Sequence, residues 1–97
     1  MTETRKVPPG QEFVITLEQN PTTGYVWEVT YDASQLELLK KEYHRTNDLI
    51  GGGGKIEFKF RATKEGEASM EFRLVRPWEG RVIETRNFEI VIREAAN

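Results

Sequence analysis

The chain has 97 residues, 37% of them hydrophobic and 31% charged, with 14 basic side chains against 16 acidic ones. That length makes one domain with room for a real core, and a formal charge of −2 disfavours nucleic acid as a partner, because its recognition wants a basic face. The absence of cysteine excludes disulfides, thiolate chemistry and Cys–metal sites, and no apolar run approaches the ~20 residues of a membrane-spanning helix.

Residues 1–6, Met-Thr-Glu-Thr-Arg-Lys, lack the apolar stretch of a secretory leader. The expected location is therefore the cytoplasm, or outside the cell with a leader already removed. Val7-Pro8-Pro9-Gly10 forbids regular structure, and an ordered core is expected over about residues 11–94 of a single domain spanning 1–97. From Glu12 to Glu18, Phe13, Ile15 and Leu17 alternate with polar or smaller residues, the mark of a half-buried strand. A second strand covers Tyr25 to Tyr31, with Tyr25, Trp27, Val29 and Tyr31 on one face, and stops at the turn 32–35. Leu36 to Tyr43 fits either helix or strand spacing. Eight residues are short for an isolated helix, so a strand with an irregular start is expected.

A polar loop then runs from His44 to Lys55 and ends in four glycines. Ile56, Phe58, Phe60 and Ala62 alternate with charged residues. After the tight turn at Lys64-Glu65-Gly66, Ala68, Met70, Phe72 and Leu74 do the same. These two runs read as a hairpin. A loop from Arg76 to Thr85 precedes a last strand with Phe88, Ile90 and Ile92 inward. Six or so strands with turns every 8–12 residues predict an all-β sandwich of antiparallel strands. If each connection reverses the chain, the loops 19–24, 44–55 and 76–85 share one end and the plain turns the other.

Each of those three loops has two readings. In Asn20-Pro21-Thr22-Thr23-Gly24-Tyr25, Pro21 fixes φ and Gly24 permits φ > 0. The segment is either a tight connection or a stiff wedge whose threonines lose little entropy on docking. Gly51-Gly52-Gly53-Gly54 is either a flexible stretch or a place of close backbone approach. It is not a phosphate loop, because Lys55 is followed by Ile56 and a strand follows where a helix is required. In Arg76-Pro77-Trp78-Glu79, Pro77 breaks the strand, and Trp78 is either tucked onto the sandwich or offered to a partner. His44 is the single histidine, with no nucleophile and acid arranged about it. No catalytic constellation is found, so an enzyme is not expected, nor is any metal or cofactor.

Taken in order along the chain, the Asn-Pro-Thr-Thr-Gly-Tyr, Gly-rich and Arg-Pro-Trp segments resemble the chagasin-type inhibitors of papain-like cysteine peptidases. The resemblance covers about Phe13 to Ile92 and implies an immunoglobulin-like β-sandwich of antiparallel strands. It implies that Asn20, Pro21, Thr22, Thr23, Gly24 and Tyr25 form a central loop, with Thr22 and Thr23 entering the peptidase cleft and Tyr25 anchoring the loop. It implies that Gly51, Gly52, Gly53 and Gly54 lie along the cleft, and that Arg76, Pro77, Trp78 and Glu79 flank it, with Trp78 on aromatic surface. Four successive glycines depart from the family's usual interrupted run. The implied partner is a peptidase of the papain or cathepsin L type, met by a monomer in reversible, competitive and non-covalent fashion. A non-inhibitory peptide- or carbohydrate-binding module on the same sandwich is the competing reading.

Overall fold

The structure, a computed structural model, describes residues 2–20, 23–45 and 53–94. Seven strands are present among the described residues: β1 (Thr2–Val7), β2 (Glu12–Gln19), β3 (Val26–Tyr31), β4 (Leu36–Arg45), β5 (Gly54–Ala62), β6 (Gly66–Arg76) and β7 (Arg81–Ile92). They form two sheets, β1-β7-β6-β3 and β2-β5-β4. Apart from β1, which runs parallel to β7, every paired neighbour is antiparallel.

Alternation on each strand delivers the core. Phe13, Ile15 and Leu17 of β2 and the inward row of β5 lie on one sheet and face Trp27 of β3 and the inward rows of β6 and β7 on the other, all buried. Aromatic rings tie the two sheets together. Phe58 of β5 meets Phe72 of β6 edge-on across the core at 5.1 Å, and Tyr31 of β3 meets Phe60 of β5 edge-on at 5.1 Å, while Phe72 and Phe88, 5.4 Å apart, are neighbours on one sheet. Such geometries add to the area term. Leu36–Tyr43 is the expected strand with an irregular start: β4 shifts register between Leu38 and Lys40.

Three expectations are corrected. The first concerns β1. Its residues are polar up to Val7, so no alternation announces it. It is held instead by its backbone ladder to β7, by Arg5 Nη1 donating to the Val14 carbonyl at 2.6 Å, and by the Arg5 guanidinium over Phe88. The second is the hairpin expected of the runs 56–62 and 68–74. β5 pairs with β2 and β4, and β6 with β3 and β7, so the connection 63–65 is an arch from one sheet to the other. A hairpin and an arch demand the same period-two alternation, because in both cases the apolar rows point at the core. The third is the length of two loops. His44, Arg45, Gly54 and Lys55 are strand residues, paired His44↔Lys55 and Arg45↔Gly54. Residues 81–85 belong to β7, leaving only 77–80 as the turn.

Candidate functional site

Three connections lie at one end of the sandwich: 20–25 between β2 and β3, 46–53 between β4 and β5, and 77–80 between β6 and β7. The first crosses between sheets, and the other two are hairpin turns, one from each sheet. Pro21, Thr22, Gly51 and Gly52 lie outside the described residues.

The first loop starts from a seam closed by side chains. Trp27 Nε1 donates to the Glu18 carbonyl at 2.8 Å, and the Trp27 amide donates to Gln19 Oε1 at 3.1 Å. These bonds bridge a crossing that no strand ladder covers. Within the loop, the Thr23 amide and hydroxyl both donate to the Asn20 carbonyl, at 3.2 and 2.8 Å. The same hydroxyl accepts from the Tyr25 amide at 3.4 Å. Thr23 is exposed, yet its hydroxyl serves the loop's own curl. Gly24 has φ +81°, and a Cβ there would lie 2.5 Å from Trp78 Cη2. Close approach as well as backbone conformation therefore demands glycine.

On the second loop, Gly54 is buried in β5. A Cβ there would overlap the His44 carbonyl and come within 2.5 Å of Tyr43 Oη. Its glycine is a packing requirement. Gly53 stands beside the first loop, since a Cβ built on it would rest 3.7 Å from Asn20 Cβ.

The third turn folds over its own base. The Glu79 and Gly80 amides both donate to the Arg76 carbonyl at 3.0 Å, and Arg76 Nη1 reaches Glu79 Oε1 at 3.3 Å. Arg76 Nε donates across to the Thr23 carbonyl at 3.0 Å, and its guanidinium lies 4.4 Å from the centre of the Tyr25 ring. Trp78 rests an edge on Gly24 while 71% exposed, so it is presented to solvent, whereas Trp27 is core. The first loop and the third turn thus form one assembly.

Behind it, a cleft of about 650 Å³ opens between the sheets, lined among others by Glu18, Tyr25, Lys55, Leu74, Ile83 and Glu84. Most of these were not singled out from sequence. Ile83 is the extra residue at a register shift, Leu74 pairing with Glu84 and Val75 with Val82. That bulge turns Ile83 and Glu84 toward the same cleft, and alternation alone does not announce it. His44 lies outside this end's assembly. It is an exposed β4 residue, not a loop one, with Nε2 3.2 Å from carboxylates of both Glu42 and Glu57.

Residues 6–92 match the profile described as chagasin family peptidase inhibitor I42. The chain belongs to the chagasin family of peptidase inhibitors. It is 25% identical over 96 residues to chagasin of Trypanosoma cruzi, covering 93% of this chain and 87% of that protein. To amoebiasin-1 of Entamoeba histolytica it is 33% identical over 75 residues, covering 74% and 72%. Among solved structures, the cysteine protease inhibitor EhICP2 from Entamoeba histolytica superposes with a TM-score of 0.85 at 23% identity, covering 94% of this chain and 86% of that one. PbICP-C, solved in complex with falcipain-2, gives 0.69 at 17% identity over 97% and 88%. The chagasin-family fold is an immunoglobulin-like sandwich, as the sequence led one to expect.

Proposed function

We propose that the chain is a reversible, competitive inhibitor of papain-like cysteine peptidases, acting as a monomer that performs no chemistry of its own. Asn20 to Tyr25 is the central wedge, Gly51–Gly53 runs along one side of the cleft, and Pro77, Trp78 and Glu79 flank the other. Gly54 and Arg76 support the loops from within. Family membership supports an inhibitor over an enzyme, and the falcipain-2 complex of a structural neighbour supports a peptidase as partner.

One observation carries the reading: the first loop and the third turn are joined before any partner arrives, through Arg76 to Thr23 and Trp78 to Gly24. Preorganised loops bind without the entropy cost of ordering them. The curl at Asn20–Thr23 also matters. A peptidase cleaves an extended segment, and a loop whose Thr23 amide and hydroxyl fold back on Asn20 offers a turn instead. The cleft is filled with no scissile bond in register. Interfaces of this class bury on the order of 1,600 Å² in total, a span that three loops at one end of the sandwich help to cover.

The test is a titration of papain and a cathepsin L-like enzyme, with a serine peptidase as control. The expected result is stoichiometric, reversible loss of the cysteine peptidase activity alone. No inhibition at micromolar protein would sink the proposal, and glycan binding in its place would favour the carbohydrate-binding alternative.

A further inference from the structure

We propose that Arg76 is a positioning residue, an internal clamp seated on Tyr25 that locks the third turn to the first loop so that Gly24 and Trp78 meet the peptidase as one surface. This rests on the inhibitory reading and assigns Arg76 a role inside this chain in place of a direct peptidase contact.

The geometry of the guanidinium carries the inference. Its three kinds of recognition are all engaged within the chain: Nε donates to the Thr23 carbonyl at 3.0 Å, the plane lies over the Tyr25 ring at 4.4 Å, and Nη1 faces Glu79 Oε1 at 3.3 Å. The Arg76 side chain is 33% exposed, while Trp78 two residues on is 71% exposed. The inward residue and the outward one divide the work. Tyr25 is half-buried at the last position before β3, so its ring is braced by the strand that follows.

Each contact also has a geometric consequence. The bond to Thr23 grips the backbone of the curled segment, whose amide and hydroxyl are already bonded to Asn20. The contact with Glu79 grips the turn that carries Trp78. No strand ladder joins these two connections, since the ladder between β3 and β6 begins at Val26↔Val75. Beyond that pair, Arg76 and the seat of Trp78 on Gly24 bridge the gap. A lysine cannot reproduce this. Its ammonium is a point charge without the planar face that stacks or the fixed fork that reaches two acceptors at once.

That difference separates a clamp from a charge that touches the peptidase. A direct contact to a peptidase carboxylate would tolerate Arg76→Lys in large part and would show in the salt dependence of association. The clamp predicts otherwise. Arg76→Ala and Arg76→Lys should both weaken inhibition of papain at least tenfold, with the salt dependence of the association rate unchanged. Tyr25→Leu should do the same, and Tyr25→Phe, which keeps the ring face under the guanidinium, should lose several-fold less than Tyr25→Leu. The double variant Tyr25→Leu/Arg76→Ala should be no worse than the worse single one, because both remove one coupled contact.

A second arm needs no peptidase. In the free protein, amide exchange at residues 23–25 should accelerate in Arg76→Lys, and acrylamide quenching of Trp78 should rise, while buried Trp27 stays protected. These readouts stand even if no peptidase is inhibited, so failure of the inhibitory reading and failure of the clamp are distinguishable. Additive losses in the double variant, full inhibition by Arg76→Lys, or unchanged exchange at 23–25 would each overturn the proposal. If Arg76→Ala fails to fold, Arg76→Lys and Tyr25→Leu decide the matter.

Discussion

At the end opposite the three loops, the sandwich is closed by its backbone. Gly10 donates to Ala62 at 2.7 Å, Ala62 to Gln11 at 3.0 Å, Thr63 to Gln35 at 2.9 Å and Arg93 to Val7 at 3.1 Å. Connections from both sheets are laced together there by main-chain groups that any sequence carries. At the loop end, the bonds across connections come largely from side chains: the Trp27 indole to the Glu18 carbonyl and the Trp27 amide to the Gln19 side chain at the seam, then Arg76 to Thr23. One end is built only to hold, so its main-chain polar groups are consumed internally. The other must present itself to a partner, so side chains brace it from behind. The comparison predicts that substitutions will separate stability from inhibition at the loop end and not at the other.

Both ends hang on the same core, and the largest effect should erase the distinction. Phe72 is fully buried between Phe58 and Phe88. Phe72→Ala should cost ~3–5 kcal/mol, a large part of the ~5–15 kcal/mol that holds a domain together. Chemical denaturation measures it, and a loss below ~1 kcal/mol would mean that the aromatic ladder is not the joint between the sheets. The next effect tests whether the second loop belongs with the braced end. Gly54→Ala forces a methyl against the His44 carbonyl and the Tyr43 ring, and overpacking of that kind costs ~1–3 kcal/mol. The melting temperature should fall. An unchanged one would show that β4 and β5 part freely at Arg45 and Gly54.

Much of the sandwich is legible in the sequence, and the misses have physical causes. Phe13, Ile15, Leu17 and Trp27 announce their faces because burial on one side forces period two. The arch at 63–65 is not legible, because rows that face each other across a core and rows that lie side by side on one sheet obey the same pattern. β1 is not legible because a polar edge strand is held by backbone pairing, and backbone carries no sequence signal. At the candidate site, turn residues mark the three segments. The chemistry that binds them together depends on Gln19, Thr23 and Arg76 meeting across sequence separations that no local pattern encodes. Gly54 shows the limit most sharply. As a letter it belongs to a run of four, and as a residue it is strand packing.

Trp78 offers the cleanest separation of the two ends' demands. Its ring is 71% exposed and touches the fold chiefly at Gly24. Trp78→Ala should therefore move stability by less than ~0.5 kcal/mol, as exposed substitutions do. Inhibition should weaken at least tenfold, about 1.4 kcal/mol of binding, because an aromatic anchor buried by a partner is where interface energy concentrates. Thermal melting and an inhibition constant on the same samples provide the check. A fall in both would make Trp78 part of the scaffold, and a fall in neither would remove the third turn from the interface.

The smallest effect belongs to the opposite end and to acid. Hydrogen bonds from Lys59 and then Arg61 hold the Glu12 carboxyl below its ordinary value of 4.5. Those from the Ser34 hydroxyl and amide hold Asp32 below 3.8. A carboxylate with a lowered folded pKa contributes stability above its unfolded value and loses it as pH falls through the folded one. Both groups lie by the backbone-closed end, at the start of β2 and in the turn after β3. Thermal melts should therefore be flat from about pH 8 to pH 5 and decline slightly below ~4.5 as these carboxylates protonate. The double variant Glu12→Gln/Asp32→Asn should show a shallower decline. An equal decline in the double variant would move the acid-sensitive groups elsewhere in the chain, first to Glu42 of β4, whose carboxyl a hydrogen bond from Lys40 also holds below 4.5.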